Sequence, residues 1–246
     1  MKSLRERRKI CNHLGERYYP LETRRDRLME SVIEANLPSG GVFLDAGFGP
    51  SLRLAALFAN GQRLSVGVDL EPFRASAGNP TQNVARGVVG DLGMLPFARD
   101  SVDVIAMRSV VEHLADPPAA LSGMARVLKP GGCVVALAPS RWYYASIVGR
   151  LMPPRLARST LEFIYGPTAY DNYPTWYRAN TPRAMERAAR EAGLSLVMTR
   201  VCAHPPDYLK FSPALFLLGV AFDRLTALVP ALRTLQPSFL FLLRRP

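Results

Sequence analysis

The 246-residue chain has only three cysteines, Cys11, Cys133 and Cys202, far apart and in no metal-ligand spacing. An odd, scattered set of thiols argues against a disulfide framework and against a zinc site, and it fits a reducing compartment. The first residues, Met1-Lys-Ser-Leu-Arg-Glu-Arg-Arg-Lys9, lack the apolar run of a secretory signal, so a cytoplasmic protein is expected. There is no internal repeat and no low-complexity linker, which argues against solenoids and disordered tethers. Even the longest apolar stretch, Pro213 to Leu232, is interrupted by Asp223, Arg224 and Pro230 and makes a poor membrane span. What remains is a chain that is 48% hydrophobic, enough for one large core, and a single domain over residues 1–246 is expected.

Acidic residues are also short, with 20 Asp/Glu against 31 Lys/Arg. The deficit is uneven. Residues 1–27 carry nine basic and four acidic side chains, residues 28–140 eight and ten, and residues 141–246 fourteen and six. The positive excess therefore flanks a nearly neutral centre. Basic flanks suit RNA, anionic lipid head groups or acidic substrates, and charge alone does not choose among them.

The neutral centre holds the most informative stretch, Val42-Phe-Leu-Asp-Ala-Gly-Phe-Gly-Pro-Ser-Leu52. A short apolar run ends in an acid, Gly47 and Gly49 follow, and a new periodicity begins at Leu52, which reads as strand, tight turn and helix. Bare backbone at Gly47 and Gly49 admits a ligand close to the turn. Twenty residues after Gly49, the run Leu64-Ser-Val-Gly-Val-Asp69 ends in a second acid, at the spacing of a ribose-binding carboxylate in a βαβ unit.

Further strands are expected at Gly87–Asp91, Ser101–Met107, Cys133–Ala138, Leu194–Arg200 and Phe239–Leu243. Asp116 and Thr181 are set to cap helices that open with Pro117 and Pro182. The expected organisation is an N-terminal helical cap over 1–36, a cofactor-binding core over 37–140 and an inserted lid over 141–180. A C-terminal half of the sheet follows over 181–246, itself carrying an apolar helical insertion at 205–232.

Taken in order, Asp45-Ala-Gly-Phe-Gly49, Gly67-Val-Asp69, Gly90-Asp-Leu-Gly-Met-Leu-Pro-Phe97, Ser101-Val-Asp-Val-Ile105, Glu112-His-Leu-Ala-Asp-Pro117 and Arg126-Val-Leu-Lys-Pro-Gly-Gly132 resemble the class I S-adenosylmethionine-dependent methyltransferases. The resemblance is nearest to the small-molecule branch that includes ubiquinone and menaquinone biosynthesis enzymes (methyltransferase type 11). It is strong over 40–138 and moderate over 174–200. It implies an α/β, doubly wound, Rossmann-like sheet of seven strands with the last antiparallel, plus helical and aromatic lid insertions. It also implies S-adenosyl-L-methionine as cofactor and no metal. The residues that would hold the cofactor are Asp45, Ala46, Gly47, Phe48, Gly49, Asp69, Leu70, Gly90, Asp91, Leu92, Met107 and Arg108. By the same resemblance Asp91 accepts from the adenine amino group while Leu92 donates its backbone N–H to the ring. The third loop glycine of the family is Ser51 here, a residue able to cap the next helix.

A hydroxyl or amine acceptor needs a base titrating near neutrality, and His113, just past the fourth strand, is the candidate catalytic residue. Asp103 reads as structural, and Arg126 and Lys129 as solvated helix-end charges. Between Trp142 and Tyr177 lie both tryptophans and six of the nine tyrosines, which suits a lid over an acceptor with an apolar or ring-containing body. The apolar insertion is either a core or homodimer-contact helix or an in-plane helix on the inner membrane face. The rival classes are an RNA methyltransferase using the basic flanks, a non-catalytic binding protein, and a nicotinamide oxidoreductase. The last would want glycine where Leu52 stands.

Overall fold

A computed structural model describes residues 3–49, 52–59, 62–72, 86–165 and 173–246. The strands are β1 (Val42–Ala46), β2 (Leu64–Asp69), β3 (Arg86–Val89), β4 (Val102–Arg108), β5 (Leu128–Pro139), β6 (Ser195–Cys202) and β7 (Ser238–Arg244). They form one sheet in the order β3-β2-β1-β4-β5-β7-β6. β1 lies parallel to both β2 and β4, with Val42 opposite Leu64 and Phe43 opposite Val104, so the strand order reverses at β1. β7 enters between β5 and β6 and runs antiparallel, which is the doubly wound seven-stranded arrangement expected from the sequence.

The chain forms two compact units. Met29–Ala138, Trp176–Arg200 and Phe239–Pro246 make up the sheet unit. Its helices are α2 (Arg25–Asn36, from Met29 on), α3 (Arg53–Phe58), α4 (Pro117–Val127) and α7 (Pro182–Glu191). Asp116 and Thr181 cap α4 and α7 as their sequence positions predict, accepting from the backbone of Ala119 at 3.1 Å and of Ala184 at 3.3 Å. The central strands are covered on both faces, and every residue from Cys133 to Ala138 is buried.

Asp103 is structural, as expected: its carboxylate takes the Val42 N–H at 2.8 Å and the Lys129 ammonium at 2.7 Å. Arg126 and Lys129 are not the solvated helix-end charges that their positions suggest. Lys129 closes that ion pair, and Arg126 donates to the carbonyls of Leu95 and Phe97, so both tie the segment after β3 or the edge of β4 to the sheet.

The helical unit comprises Met1–Leu28, Pro139–Thr175 and Val201–Ser238. It contains α1 (Leu4–Tyr18), α5 (Tyr144–Leu151), α6 (Pro154–Tyr165) and α8 (Pro213–Leu228). α1 opens with a reciprocal cap in which Ser3 and Glu6 each bond the other's backbone N–H. Cys11, Tyr19, Phe216 and Val220 form the contact between α1 and α8. Buried Asp223 accepts from the Tyr19 hydroxyl at 2.7 Å, and burial pushes its carboxyl up to about 6. α8 stops at Leu228, and Pro230 opens a short 3-10 segment, the break that proline imposes. Among the described residues no helix is long and apolar enough to cross a membrane.

Gly123 in α4 shows how closely these layers approach. A Cβ there would lie 2.3 Å from the Leu92 carbonyl oxygen and 2.7 Å from that of Gly93, backbone atoms that cannot swing aside. Gly123→Ala should therefore lower the urea midpoint by an amount worth about 1–3 kcal/mol with the m-value unchanged. A midpoint equal to that of the parent protein would contradict this contact.

Candidate functional site

The turn after β1 is built from both sides. Gly47 takes φ 76° and donates its N–H to the Val68 carbonyl at 2.7 Å, while Gly49 takes φ 59° and donates to Asp69 Oδ2 at 2.9 Å. A Cβ at Gly47 would meet Val110 at 2.4 Å, so glycine is required there by space as well as by φ. At Gly49 a Cβ would meet nothing within 4 Å, and that side of the loop is open.

Asp45 is almost fully buried, and its Oδ2 accepts from the Ala55 N–H at 3.1 Å. Ala55 is the third residue of α3, so a strand carboxylate does the work of a helix cap. Ser51, which the sequence offers for that role, lies outside the described residues; the residue before α3 is Leu52, left-handed at φ 46° and without a side-chain cap.

The remaining expected cofactor positions separate by burial. Ala46 and Met107 are fully buried, and the Phe48 ring packs with Leu52 and Ala55 over Gly67, where a Cβ would come within 2.7 Å of it. Those three can offer a ligand only backbone. Arg108 is half-buried, and its charge acts on Asp45. Asp69 is half-buried beside Gly49, and Leu70 is exposed. The Gly90 N–H donates to the Asp69 carbonyl at 2.9 Å, which joins the exits of β2 and β3. Asp91 is exposed and caps a 3-10 turn over Leu92–Met94 through the Gly93 N–H at 2.7 Å.

Val89 and Met94 are two positions that the motifs do not single out. Each exposes an apolar side chain, Val89 on β3 opposite Asp69 and Met94, 83% exposed, in the turn that Asp91 caps. Their exposure follows from an edge strand and a loop, which no local pattern reveals. Half-open carboxylates, bare glycine backbone and exposed aliphatic groups at the carboxyl ends of parallel strands can hold a nucleoside: acids for hydroxyl and amino donors, aliphatic groups for the ring faces.

Residues 44–136 match the family described as Methyltransferase domain. The fold is the Rossmann-like methyltransferase fold. An uncharacterized methyltransferase of Mycobacterium sp. (strain JLS) is 41% identical over 98 residues, covering 40% of this chain and 38% of that protein. Another, from Mycobacterium tuberculosis (strain ATCC 25618 / H37Rv), is 39% identical over 100 residues, covering 40% and 39%. The match thus spans about two fifths of these relatives.

Among solved structures, geranyl diphosphate C-methyltransferase from Streptomyces coelicolor A3(2) superposes with a TM-score of 0.57 at 16% identity, covering 90% of this chain and 76% of its own. The [4+2]-cyclase SpnF superposes with a TM-score of 0.55 at 15% identity, covering 90% and 80%. The fold therefore carries more than one chemistry.

At the exit of β4 the matched segment continues into a 3-10 turn over Val111–His113. The buried Glu112 offers its carbonyl to the N–H groups of Trp176 at 2.7 Å and Tyr177 at 3.2 Å. Arg178 stacks 5.1 Å from the Trp176 ring and donates to the Ala115 carbonyl. Half-buried His113 thus shares its turn with the two last aromatics of the expected lid.

The lid segment does not stay in one unit. Residues up to Thr175 group with the helical unit and those from Trp176 with the sheet unit. In the helical unit Trp142 and Tyr173 are exposed, while Tyr143 is buried with its ring 4.3 Å from that of Tyr144. Tyr170 lies outside the described residues. His204, also in the helical unit, is a buried core residue whose imidazole is held neutral, pushed down to about 3 by burial and then by Arg25. Among the described residues no group of His, Cys, Asp and Glu could hold a metal.

Burial pushes the Asp45 carboxyl up to about 7, against the backbone N–H of Ala55, which pulls it down. The folded protein then keeps a proton that the unfolded chain releases above 3.8, so this contribution to stability is complete below that pH and is lost as pH rises through about 7. Asp45→Asn stays neutral throughout. Its denaturation midpoint should vary less with pH across that window than that of the parent protein, and parallel profiles would contradict the assignment.

Proposed function

We propose that the chain is an S-adenosylmethionine-dependent methyltransferase acting on a small acceptor with an apolar, aromatic or lipid-like body. The observation that carries this reading is the open face of the loop at Gly49, joined directly to the Asp69 carboxylate and flanked by exposed Leu70, Val89 and Met94. Asp69 would take the ribose hydroxyls, the backbone from Asp45 to Gly49 the amino-acid end, and Asp91 with the Leu92 N–H the adenine edge. Gly90, Met107 and Arg108 would frame the site. The cofactor supplies an electrophilic methyl on a sulfonium; the protein's work is to bind, orient and exclude water.

His113 is assigned as the base for a hydroxyl or amine acceptor. The aromatics Trp176 and Tyr177, held on the same turn, supply apolar surface beside it. His113→Ala should lower kcat for such an acceptor by roughly 100-fold or more with cofactor affinity unchanged. An unchanged kcat would remove His113 from the chemistry. The resemblance to the ubiquinone and menaquinone branch, and small-molecule methyltransferases among the proteins of similar fold, support a small-molecule acceptor.

RNA as acceptor is the second reading, favoured by the basic flanks alone. It requires binding that survives moderate salt, because purely electrostatic affinity collapses with added salt. Titration calorimetry tests the cofactor that both readings share. S-adenosylhomocysteine should bind, and Asp69→Ala should weaken it by roughly 1–3 kcal/mol for the lost charge-assisted hydrogen bonds. Binding of NAD with no response to the sulfur ligand would overturn the assignment.

A further inference from the structure

α8 is built inside out. The side it buries in the helical unit carries Phe216, Gly219 and Val220 but also Asp223 and Thr226. The polar pair is tied to its own unit: Asp223 takes the Tyr19 hydroxyl on Oδ2, and Gln236 donates to the Asp223 carbonyl at 2.8 Å and to the Thr226 hydroxyl. The side facing solvent is aliphatic. Leu218, Leu225 and Leu228 are 64%, 57% and 80% exposed, and Leu215, Leu217 and Val229 are exposed beside them. Leu218, Ala221, Leu225 and Leu228 follow one another at three- and four-residue steps, so they form a single stripe along the helix. A continuous aliphatic stripe of this kind marks an interaction surface.

Charge identifies the occupant. The only acid of α8 is Asp223, and it points inward, so the exposed face carries no negative charge. Arg224 leaves the same helix at its edge and donates to the Tyr18 carbonyl at 3.1 Å. Arg17 lies over the Tyr18 ring on α1, the helix packed against α8, and exposed Arg233 follows in the 3-10 segment. α5 adds exposed Val148 and Leu151 around Arg150, and its Tyr144 ring meets Phe222 of α8 at 5.8 Å. The segments of the helical unit carry sixteen Lys/Arg against eight Asp/Glu. A second copy of this chain would bring like charge to like charge, whereas anionic head groups would meet a cationic rim around an apolar centre.

We propose that the outward face of α8 docks the protein on an anionic lipid bilayer, with the helix lying in the plane of the interface. Docking needs neither cofactor nor acceptor, and it is independent of what the sheet unit methylates.

The test is co-sedimentation of the full chain, without ligand, with phosphatidylcholine vesicles that do or do not contain phosphatidylglycerol. The protein should pellet with the anionic vesicles and release in high salt. The double variant Leu218→Asp, Leu225→Asp should bind them at least roughly tenfold more weakly, with an unchanged circular-dichroism melt. Leu218→Ile with Leu225→Ile should bind as the parent does. If the aspartates disturb the melt, Leu218→Gln with Leu225→Gln makes the same comparison. Pelleting that ignores lipid charge, or that survives the polar substitutions, would overturn the proposal. So would a parent protein that ignores vesicles but sediments as a dimer which the same variants split.

Discussion

The hydrogen bond from the Ala55 N–H to the buried carboxylate of Asp45 is the interaction on which the arrangement of the site depends. It fixes α3 against the end of β1, and with it the span of chain in which Gly47 and Gly49 must turn. The opposite wall is fixed by β2, through the Val68 carbonyl on Gly47 and the Asp69 carboxylate on Gly49. The loop is thus a bridge between two parallel neighbours at the point where the strand order reverses, the position at which open α/β sheets bind ligands. Putting a carboxyl into the core to achieve this raises its pKa, and the stability of the sheet becomes sensitive to pH near neutrality.

Much of this was legible in the sequence because it is written locally. Asp116 before Pro117 and Thr181 before Pro182 are cap signals that need no knowledge of the rest of the chain, and both caps form. The strands of the sheet unit are short apolar runs bounded by glycine, proline or acids, signals that are also local. The twenty-residue spacing from Gly49 marks an acid at the end of β2, and in the fold that Asp69 carboxylate takes the Gly49 N–H.

What was not legible depends on partners distant in sequence. That Phe48 would turn into the core follows from the space left by Gly67, nineteen positions on, which no motif announces. Arg126 and Lys129 look like surface charges until the carbonyls of Leu95 and Phe97 and the Asp103 carboxylate come beside them. α8 is the plainest case. Its sequence shows an apolar helix with one acid, and either face could have been buried. Only the Tyr19 hydroxyl and Gln236, brought from other parts of the helical unit, explain why the face with Asp223 turns inward and the leucines outward.

The two units therefore divide the problem. The sheet unit carries the matched domain and the open loop at Gly49 beside Asp69, while the helical unit carries most of the positive charge and the exposed aliphatic helix. The central claim concerns the first: the open loop at Gly49 with Asp69 is where the cofactor is held. A crystal structure with S-adenosylhomocysteine tests it most directly. The account predicts the ribose hydroxyls on the Asp69 carboxylate, the amino-acid end along Gly47 to Gly49, and the adenine beside Leu70, Asp91 and Met94. A ligand bound elsewhere, with Asp69 making no contact to it, would contradict the account.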